Sequence, residues 1–430
     1  MAAISKLALS TPLQYKPATT LPRRVQTFLD WAHALLITPF LLTNFTVDIL
    51  LLVLFPFARP SPKWNLNQAI RMRLVKMVLL YMSILKTADR LHLKPGRERS
   101  RFEMINPGPS SLYKGPLRCP DETDMSPVVK PAIIGTTWTP GLPSATPDIT
   151  IALHIHGGGF TLGNGRDEDT GFLAKNFLKH MGVTHVSTPQ YRLSSCPSQQ
   201  NHFPAPVQDA LTAYLDLVLT KKIPAKQIIL SGDSAGGNIV LALARYISEY
   251  GTELGIPPPG GIALWSPWVD IHAATDLTLD VKMSPHYETD YICTEFARWG
   301  AGCVLGASGT GVKVDARGPY MSPLHDPFRL ARPGHSVEGT GRKEDADDIP
   351  LFIHAGECEV LVDDVREFAR LIKEVAGWKK VHLEIAKYCP HDIVLIGDKI
   401  GFEKEAAEAV TEAGAFFRRM GLISTPLKTL

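Results

Sequence analysis

At 430 residues, of which 45% are hydrophobic and 20% charged, the chain is long enough to bury a large core and has the composition of a globular protein. The formal net charge of +2 gives no reason to expect a nucleic-acid partner. The six cysteines are scattered without a C-x-x-C pair, so neither a zinc site nor a disulfide framework is indicated, and a reducing compartment is favoured.

The N-terminal region contains the most apolar stretch of the chain. Residues 34–58 form a run that is long enough to cross a bilayer, which needs about 20 apolar residues. Pro39, Asn44, Asp48 and Pro56 interrupt it, and an aspartate near the centre of a membrane helix costs roughly 2.5–3.5 kcal/mol. Two interpretations stay open: membrane association, spanning or shallow, and a helical cap that packs on the rest of the protein.

Two further segments lie before the main domain. Residues 65–91 place apolar residues at helical spacing, with basic residues between them, and predict an amphipathic helix. Residues 106–127 are rich in proline, glycine and serine and predict a linker. We therefore predict an apolar, helical N-terminal region with its linker over residues 1–127 and the main domain over residues 128–430.

Strand and helix patterns alternate in the main domain. Strands are predicted at residues 132–138, 149–155, 183–188, 228–233, 262–265, 351–355 and 381–385. Helices are predicted at residues 166–181, 206–219, 235–250, 360–375 and 404–420. This alternation predicts an α/β fold whose sheet is mostly parallel and has helices on both faces. Reactive groups in such sheets gather at the carboxyl ends of the strands.

A glycine-rich turn follows the strand predicted at residues 228–233. Gly232, Ser234 and Gly236 form the pattern G-x-S-x-G, which places a serine on a sharp strand-to-helix turn and requires small residues on both sides of it. The same letters also occur at ordinary helix N-termini, so the pattern by itself leaves both interpretations open.

A second glycine-rich segment follows the strand that ends at Ile155. It reads His-Gly-Gly-Gly-Phe over residues 156–160. Three glycines let the backbone approach a ligand and turn its amides inward, as an oxyanion requires. The two segments together predict a nucleophilic serine that faces an oxyanion hole.

A nucleophilic serine needs a base, and in this type of fold the histidine comes last in the chain. His354 and His382 fall inside predicted strands, where a structural role is expected. His391 follows the strand predicted at residues 381–385 and lies in a loop, so its ring can reach the strand ends. His391 is therefore the candidate base.

Five segments together resemble the hormone-sensitive-lipase family of α/β hydrolases, over roughly residues 128–420. They are His156-Gly157-Gly158-Gly159-Phe160, Tyr191-Arg192-Leu193, Phe203-Pro204-Ala205-Pro206, Gly232-Asp233-Ser234-Ala235-Gly236-Gly237 and Pro390-His391-Asp392. The apolar N-terminal addition is similar to that of the arylacetamide-deacetylase-like members, which are membrane anchored.

The resemblance implies a set of site residues and no metal or organic cofactor. The implied nucleophile is Ser234 and the implied base is His391. The oxyanion hole is implied at Gly157, Gly158, Gly159 and Ala235, where the amides of Gly158, Gly159 and Ala235 donate and Gly157 shapes the loop.

The catalytic acid is expected in the loop after the strand predicted at residues 351–355. Four carboxylates compete there, at Glu357, Glu359, Asp363 and Asp364. The family pattern G-x-x-D-x-L-x-D has an aspartate where this chain has Glu359. Glu359 is therefore the implied acid, and Asp363 is the alternative.

Two regions differ from a minimal hydrolase. Residues 270–323 are expected to form a helical cap together with the N-terminal helices. Aromatic residues of that cap either line an apolar substrate pocket or form the core of the cap. Residues 331–348 are polar and predict a solvated, disordered loop.

The function implied by the resemblance is that of a serine hydrolase of the carboxylesterase, lipase or deacetylase type, which cleaves small apolar esters through an acyl-enzyme on Ser234. A lactone or amide hydrolase and an acyltransferase use the same residues and stay open. A ligand receptor on this fold, similar to the gibberellin receptors that lack the histidine, is disfavoured by His391. The expected location is a membrane, with the endoplasmic reticulum as a candidate, and otherwise the cytoplasm.

Overall fold

One eight-stranded sheet forms the centre of the protein, as the alternating patterns predict. The computed structural model describes residues 23–87, 91–118, 129–143, 149–195, 201–306, 314–332 and 347–423. The strands of the sheet are β1 (Phe102–Ile105), β2 (Ile134–Thr139), β3 (Ile151–Ile155), β4 (His185–Gln190), β5 (Ile228–Asp233), β6 (Gly261–Trp265), β7 (Leu351–Gly356) and β8 (Val381–Ala386). Their order in the sheet is β1-β2-β4-β3-β5-β6-β7-β8.

The sheet is mostly parallel. Only β2 runs against its neighbours among these eight strands, since it pairs antiparallel with both β1 and β4. The strands from β4 to β8 pair in parallel. Every residue of β3, β5 and β6 is buried, as expected for strands that are covered on both faces. The α/β-hydrolase architecture predicted from the sequence is confirmed.

Helices cover both faces of the sheet. They are α1 (Arg23–Leu54), α2 (Leu66–Leu85), α3 (Asp167–Asn176), α4 (Ala205–Leu215), α5 (Ser234–Leu254), α6 (Thr294–Leu305), α7 (Val362–Glu374), α8 (Ile393–Ile400) and α9 (Glu403–Arg419). Alternate residues of a strand point to opposite faces. Ile228 and Leu230 accordingly share one apolar cluster with α4, α5 and α7, whereas Ile229 belongs to a second cluster with α3, α8 and α9.

The boundary predicted at residues 127 and 128 does not separate two structural units. β1 lies N-terminal to that boundary and is nevertheless the edge strand of the main sheet. The first part of the predicted linker is also packed on the main domain, because the Tyr113 hydroxyl lies 2.8 Å from Thr212 Oγ1 and the Lys114 amide donates to Tyr246. The proline and glycine residues that suggested a linker here form tight turns on the surface of α4 and α5.

The amphipathic helix predicted at residues 65–91 is α2, which is anchored to the main domain. It begins with a capping box in which the side chain of Asn65 accepts from the Gln68 amide and that of Gln68 accepts from the Asn65 amide. Gln68 also donates to the Gly401 carbonyl at 2.8 Å. Trp64 Nε1 donates to the Tyr388 carbonyl at 2.7 Å, three residues before His391. The N-terminal region thus supports the loop that carries the candidate base.

Helix α1 leaves most of its apolar side chains uncovered. Residues Trp31–Leu54 are long and apolar enough to cross a membrane, with a mean hydropathy of 2.0 and only 6% of their most apolar window buried. Leu36 is 79% exposed and Leu54 is 63% exposed. Helix α1 packs mainly against α2, so the interpretation of this segment as a cap on the main domain does not account for its outer face.

The cap is built from α2 and α6. Leu79, Leu80 and Met82 of α2 pack against Phe296 and Trp299 of α6. The rest of the segment predicted as cap, residues 270–323, consists of short turns, and residues 307–313 lie outside the described residues. The polar loop predicted at residues 331–348 has a short antiparallel ribbon at its ends, Ala331–Arg332 with Asp347–Asp348, and residues 333–346 lie outside the described residues.

Candidate active site

Ser234 stands on a sharp turn between β5 and α5. Its φ of +47° is a conformation that residues with a side chain rarely adopt. The flanking glycines are required by packing, because a Cβ at Gly236 would overlap the Ile155 carbonyl oxygen and one at Gly232 would overlap that of Gly236. The turn places Ser234 at the carboxyl end of a central strand and at the positive end of the α5 dipole.

The glycine-rich segment after β3 lies directly beside this turn. A Cβ at Gly157 would overlap the Asp233 carboxylate and would lie 3.0 Å from the Cβ of Ser234. Gly158 and Gly159 have φ values of +90° and +60°, which only glycine adopts at low cost. In the described part of the chain, no residue accepts a hydrogen bond from the amides of Gly158, Gly159 or Ala235. These amides are therefore available to an oxyanion.

Hydrogen bonds fix the shape of the glycine segment. The Gly158 carbonyl accepts from the amides of Thr161 and Leu162, both at 3.0 Å. The buried Tyr191 hydroxyl donates to the Gly157 carbonyl at 3.1 Å, and burial keeps it neutral by raising the pKa of Tyr191 well above its usual value. The Tyr-Arg-Leu segment therefore supports the oxyanion loop. Donors that are held in place before substrate binds need no reorganisation during the reaction.

His391 lies in a buried loop after β8, and its Nδ1 is 3.8 Å from Glu359 Oε2. That distance is too long for a hydrogen bond, so the two groups interact through their charges. Burial alone would lower the pKa of His391, but the Glu359 carboxylate outweighs it and the pKa is raised above its usual value. The charges of Asp290 and Asp233 add to this shift. The imidazolium form of His391 is therefore stabilised.

Glu359 is fully buried and is held by two donors. Its Oε2 accepts from the Ser266 hydroxyl at 2.6 Å and from the Gly356 amide at 2.9 Å. Ser266 Oγ in turn accepts from the Asp392 amide at 3.1 Å, so one hydroxyl connects the acid to the loop of His391. This network holds the carboxylate in place beside the imidazole.

The alternative acid, Asp363, lies elsewhere. Its side chain is 75% exposed in the first turn of α7 and forms an ion pair with Arg366 at 3.0 Å. Of the two residues that the sequence left in competition, the structure brings Glu359 to His391 and leaves Asp363 on the surface.

A second buried carboxylate, Asp290, was not predicted from the sequence. It comes from the cap segment, and its two oxygens accept from the amides of Val360 and Ile292 at 2.7 and 3.2 Å. Asp290 thereby fixes the residue next to Glu359. No pattern could have indicated it, because 69 residues separate Asp290 from Glu359 and only the fold brings them together.

Two further carboxyls, Asp233 and Asp392, meet beside the site. Burial and the neighbouring Asp233 carboxylate raise the pKa of Asp392 well above its usual value. Burial opposes ionisation of Asp233 as well, but His154, whose Nε2 lies 2.9 Å from Asp233 Oδ1, outweighs it and lowers the pKa of that group. Asp392 is therefore the protonated member of this pair. The residue before Ser234 thus interacts with the residue after His391.

A cavity of about 180 Å³ opens at Ser234 and Gly159. Most of its walls are apolar and come from the cap and from the loop after Glu359. They include Trp268, Leu279, Val281, Ile292, Phe296 and Leu361. Of the aromatic residues in the segment after β6, Trp268 and Phe296 thus line the cavity, whereas Tyr291 packs edge-on against His391 at 5.6 Å between ring centres.

One family model matches the part of the chain that contains Ser234, Glu359 and His391. A family model described as "alpha/beta hydrolase fold" matches residues 152–395, which run from β3 through the glycine segment and the serine turn to α8. The chain belongs to this family. The assignment confirms the family that the sequence motifs predict.

Among members of the α/β-hydrolase family, the chain is similar to two curated relatives. The putative acetyl-hydrolase LipR of Mycobacterium tuberculosis is 26% identical over 235 residues, which are 54% of this chain and 66% of LipR. An acetyl-hydrolase of Streptomyces hygroscopicus is 26% identical over 231 residues, which are 52% of this chain and 61% of that protein. The matches thus span slightly less than two thirds of these relatives.

A solved esterase shares the fold of this α/β hydrolase. The structure titled "Pyrobaculum calidifontis esterase monoclinic form" matches 84% of this chain and 95% of its own, with a TM-score of 0.51 and 19% identity.

Proposed function

We propose that this protein is a serine ester hydrolase with Ser234 as nucleophile, His391 as base and Glu359 as acid. The observation that carries the proposal is the strained turn of Ser234 directly beside the glycine segment, whose amides at Gly158 and Gly159 have no other acceptor among the described residues. The acetyl-hydrolase names of the two relatives support ester cleavage as the reaction.

The proposed reaction proceeds in two halves. His391 takes the proton of Ser234 as Oγ attacks the ester carbonyl, and the tetrahedral intermediate collapses when the leaving alcohol accepts that proton from His391. Water then attacks the acyl-enzyme with His391 again as base, and the carboxylic acid is released. Glu359 stabilises the imidazolium that forms in both halves.

The negative charge of each tetrahedral intermediate falls on the former carbonyl oxygen. The amides of Gly158, Gly159 and Ala235 are the proposed donors to it, since they lie beside Ser234 and are free of other partners among the described residues. Loss of one such donor costs about 3 kcal/mol of transition-state stabilisation in enzymes of this type.

Steady-state hydrolysis of p-nitrophenyl acetate as a function of pH tests this proposal. Only neutral His391 can accept the serine proton, so kcat/KM falls as the pH drops through the pKa of His391. Because that pKa is raised in the folded protein, the acidic limb should lie above about 6.5, the usual histidine value. Absence of hydrolysis, or activity that persists well below that pH, would count against His391 as the base.

We also propose that α1 associates the enzyme with a membrane. A helix of 24 mostly apolar residues spans about 36 Å, more than the hydrocarbon core of a bilayer. Its side chains stay largely exposed, and water would leave that apolar surface unburied. A lipid environment covers it without any change in the main domain.

Carbonate extraction of membranes from expressing cells tests this second proposal. The wild-type protein should stay in the pellet. Leu36→Asp with Leu42→Asp should move it toward the supernatant, because each charge costs roughly 2.5–3.5 kcal/mol near the centre of a membrane helix. Met104→Asp, at a position on β1 that is 61% exposed, is the matched control and should stay in the pellet. Wild-type protein in the supernatant would refute stable insertion.

A further inference from the structure

Three carboxylates, those of Asp270, Asp280 and Asp364, line the mostly apolar cavity beside Ser234. Asp270 lies in the segment that follows β6, and Asp364 lies in the first turn of α7, so two separate elements bring them to the same cavity. Burial and the negative charge of Asp270 raise the pKa of Asp364 to about 6. Neither residue has a role in the proposed hydrolysis.

Only one basic side chain of the described residues interacts with Asp270 and Asp364. Asp270 is more than nine-tenths buried, and its Oδ1 accepts from the Ala273 amide at 3.2 Å and lies 3.1 Å from His325 Nε2. Its Oδ2 has no hydrogen-bond partner in the described part of the chain. Asp364 forms neither a hydrogen bond nor a salt bridge with a described residue, and His325 is the basic group that acts on it. Two carboxylates therefore share one histidine.

The other charged wall of the cavity is balanced. Asp280 accepts from the Thr294 hydroxyl and from the Lys282 amide, and the charges of Lys282 and Arg298 favour its ionised form. Arg298 also donates to the Leu279 carbonyl at 3.3 Å. Among the three carboxylates of the cavity, it is therefore Asp270 and Asp364 that lack a neighbouring lysine or arginine within the described ranges.

We infer that the natural substrate is an ester bearing an ammonium group, which Asp270 and Asp364 bind while the ester carbonyl lies at Ser234. This inference rests on the proposed function, since it concerns the substrate of the same site. A wholly apolar substrate would bury Asp364 without a partner and leave Asp270 with only its histidine and one amide, which costs free energy, whereas an ammonium group neutralises the two carboxylates in a cavity of low dielectric. Trp268 lines the same cavity and supplies an aromatic face of the kind that favours alkylammonium groups.

Pairs of esters that have the same shape and differ in one charge test the inference. Acetylcholine and 3,3-dimethylbutyl acetate differ in the charge of the alcohol group. The p-nitrophenyl esters of 4-(trimethylammonio)butanoic acid and 5,5-dimethylhexanoic acid differ in the charge of the acyl group. Near pH 8, the cationic member of at least one pair should have about tenfold higher kcat/KM with the wild-type enzyme.

A substitution tests whether the Asp364 carboxylate causes the preference for the cationic ester. Asp364→Asn should lower kcat/KM about tenfold for the favoured cationic ester and less than about twofold for its neutral partner. Glu367→Gln, one turn further along α7 and on its exposed side, removes the same charge outside the cavity and should leave the preference unchanged.

Two results would overturn the inference: no preference for the cationic ester in either pair, or an equal loss for both members in Asp364→Asn. In either case, continued hydrolysis of the neutral esters by the wild-type enzyme would leave the proposed function standing. Failure to hydrolyse any of the four esters would instead count against the proposed function itself.

Discussion

Replacing Ser234 with alanine should lower kcat for p-nitrophenyl acetate by about 10⁴- to 10⁶-fold. The reason is that alanine has no oxygen to attack the ester and no acyl-enzyme can form, while the amides of the oxyanion hole stay in place. Steady-state kinetics of the purified variant, with thermal unfolding as a check on folding, measures the effect.

A serine elsewhere on the same helix provides the control for this substitution. Ser248 of α5 is exposed, and its hydroxyl donates to the Arg329 carbonyl at 3.0 Å. Ser248→Ala should change kcat by less than about twofold, as surface substitutions do in general. Loss of activity in Ser248→Ala, or retention of it in Ser234→Ala, would show that a different residue is the nucleophile.

Glu359→Gln should lower kcat by about 10³- to 10⁴-fold, in line with the effect of an amide in place of a triad carboxylate. Glutamine keeps the size of the side chain but removes the charge that stabilises the His391 imidazolium. Because Glu359 raises the pKa of His391, its loss should also move the acidic limb of kcat/KM to lower pH. Kinetics over a range of pH measures both effects.

Asp363→Asn decides between the two acids that the sequence left open. Its carboxylate is exposed and paired with Arg366, so the variant should retain nearly full activity and an unchanged pH profile. A large loss in Asp363→Asn together with a small one in Glu359→Gln would reverse the assignment.

The parts of the site that could be predicted are those that local chain chemistry determines. The turn at Ser234 and the loop at Gly157 need glycines at fixed positions, because any Cβ would overlap a neighbouring backbone or carboxylate. His391 could be predicted from topology, since the loops after parallel strands lie at the same edge of the sheet. In each case the sequence itself carries the constraint.

The acid could not be assigned from the sequence alone. Glu359 and Asp363 lie four residues apart, and which of them faces the histidine depends on the turn that leads from β7 into α7. That turn buries Glu359 under the Ser266 hydroxyl and leaves Asp363 in solvent. No sequence pattern indicates Asp290 or the pair of Asp233 and Asp392, because the residues with which they interact lie far away in the chain.

Element boundaries were predicted well where periodicity is long and poorly where elements are short. Helices α5 and α9 are close to their predicted bounds. β1, with four residues, and α8, with eight, were not predicted, since so few residues carry little periodicity. The helix predicted at residues 166–181 ends as an α-helix at Asn176 and continues as a wider π turn to Met181, which apolar spacing does not distinguish.

Mass spectrometry of the protein after reaction with a fluorophosphonate tests the central claim most directly, since the reagent reacts preferentially with a serine that a neighbouring base activates. We predict a single phosphonyl group on Ser234, and its loss in both Ser234→Ala and His391→Ala. Modification of another residue, or undiminished labelling in His391→Ala, would contradict the account.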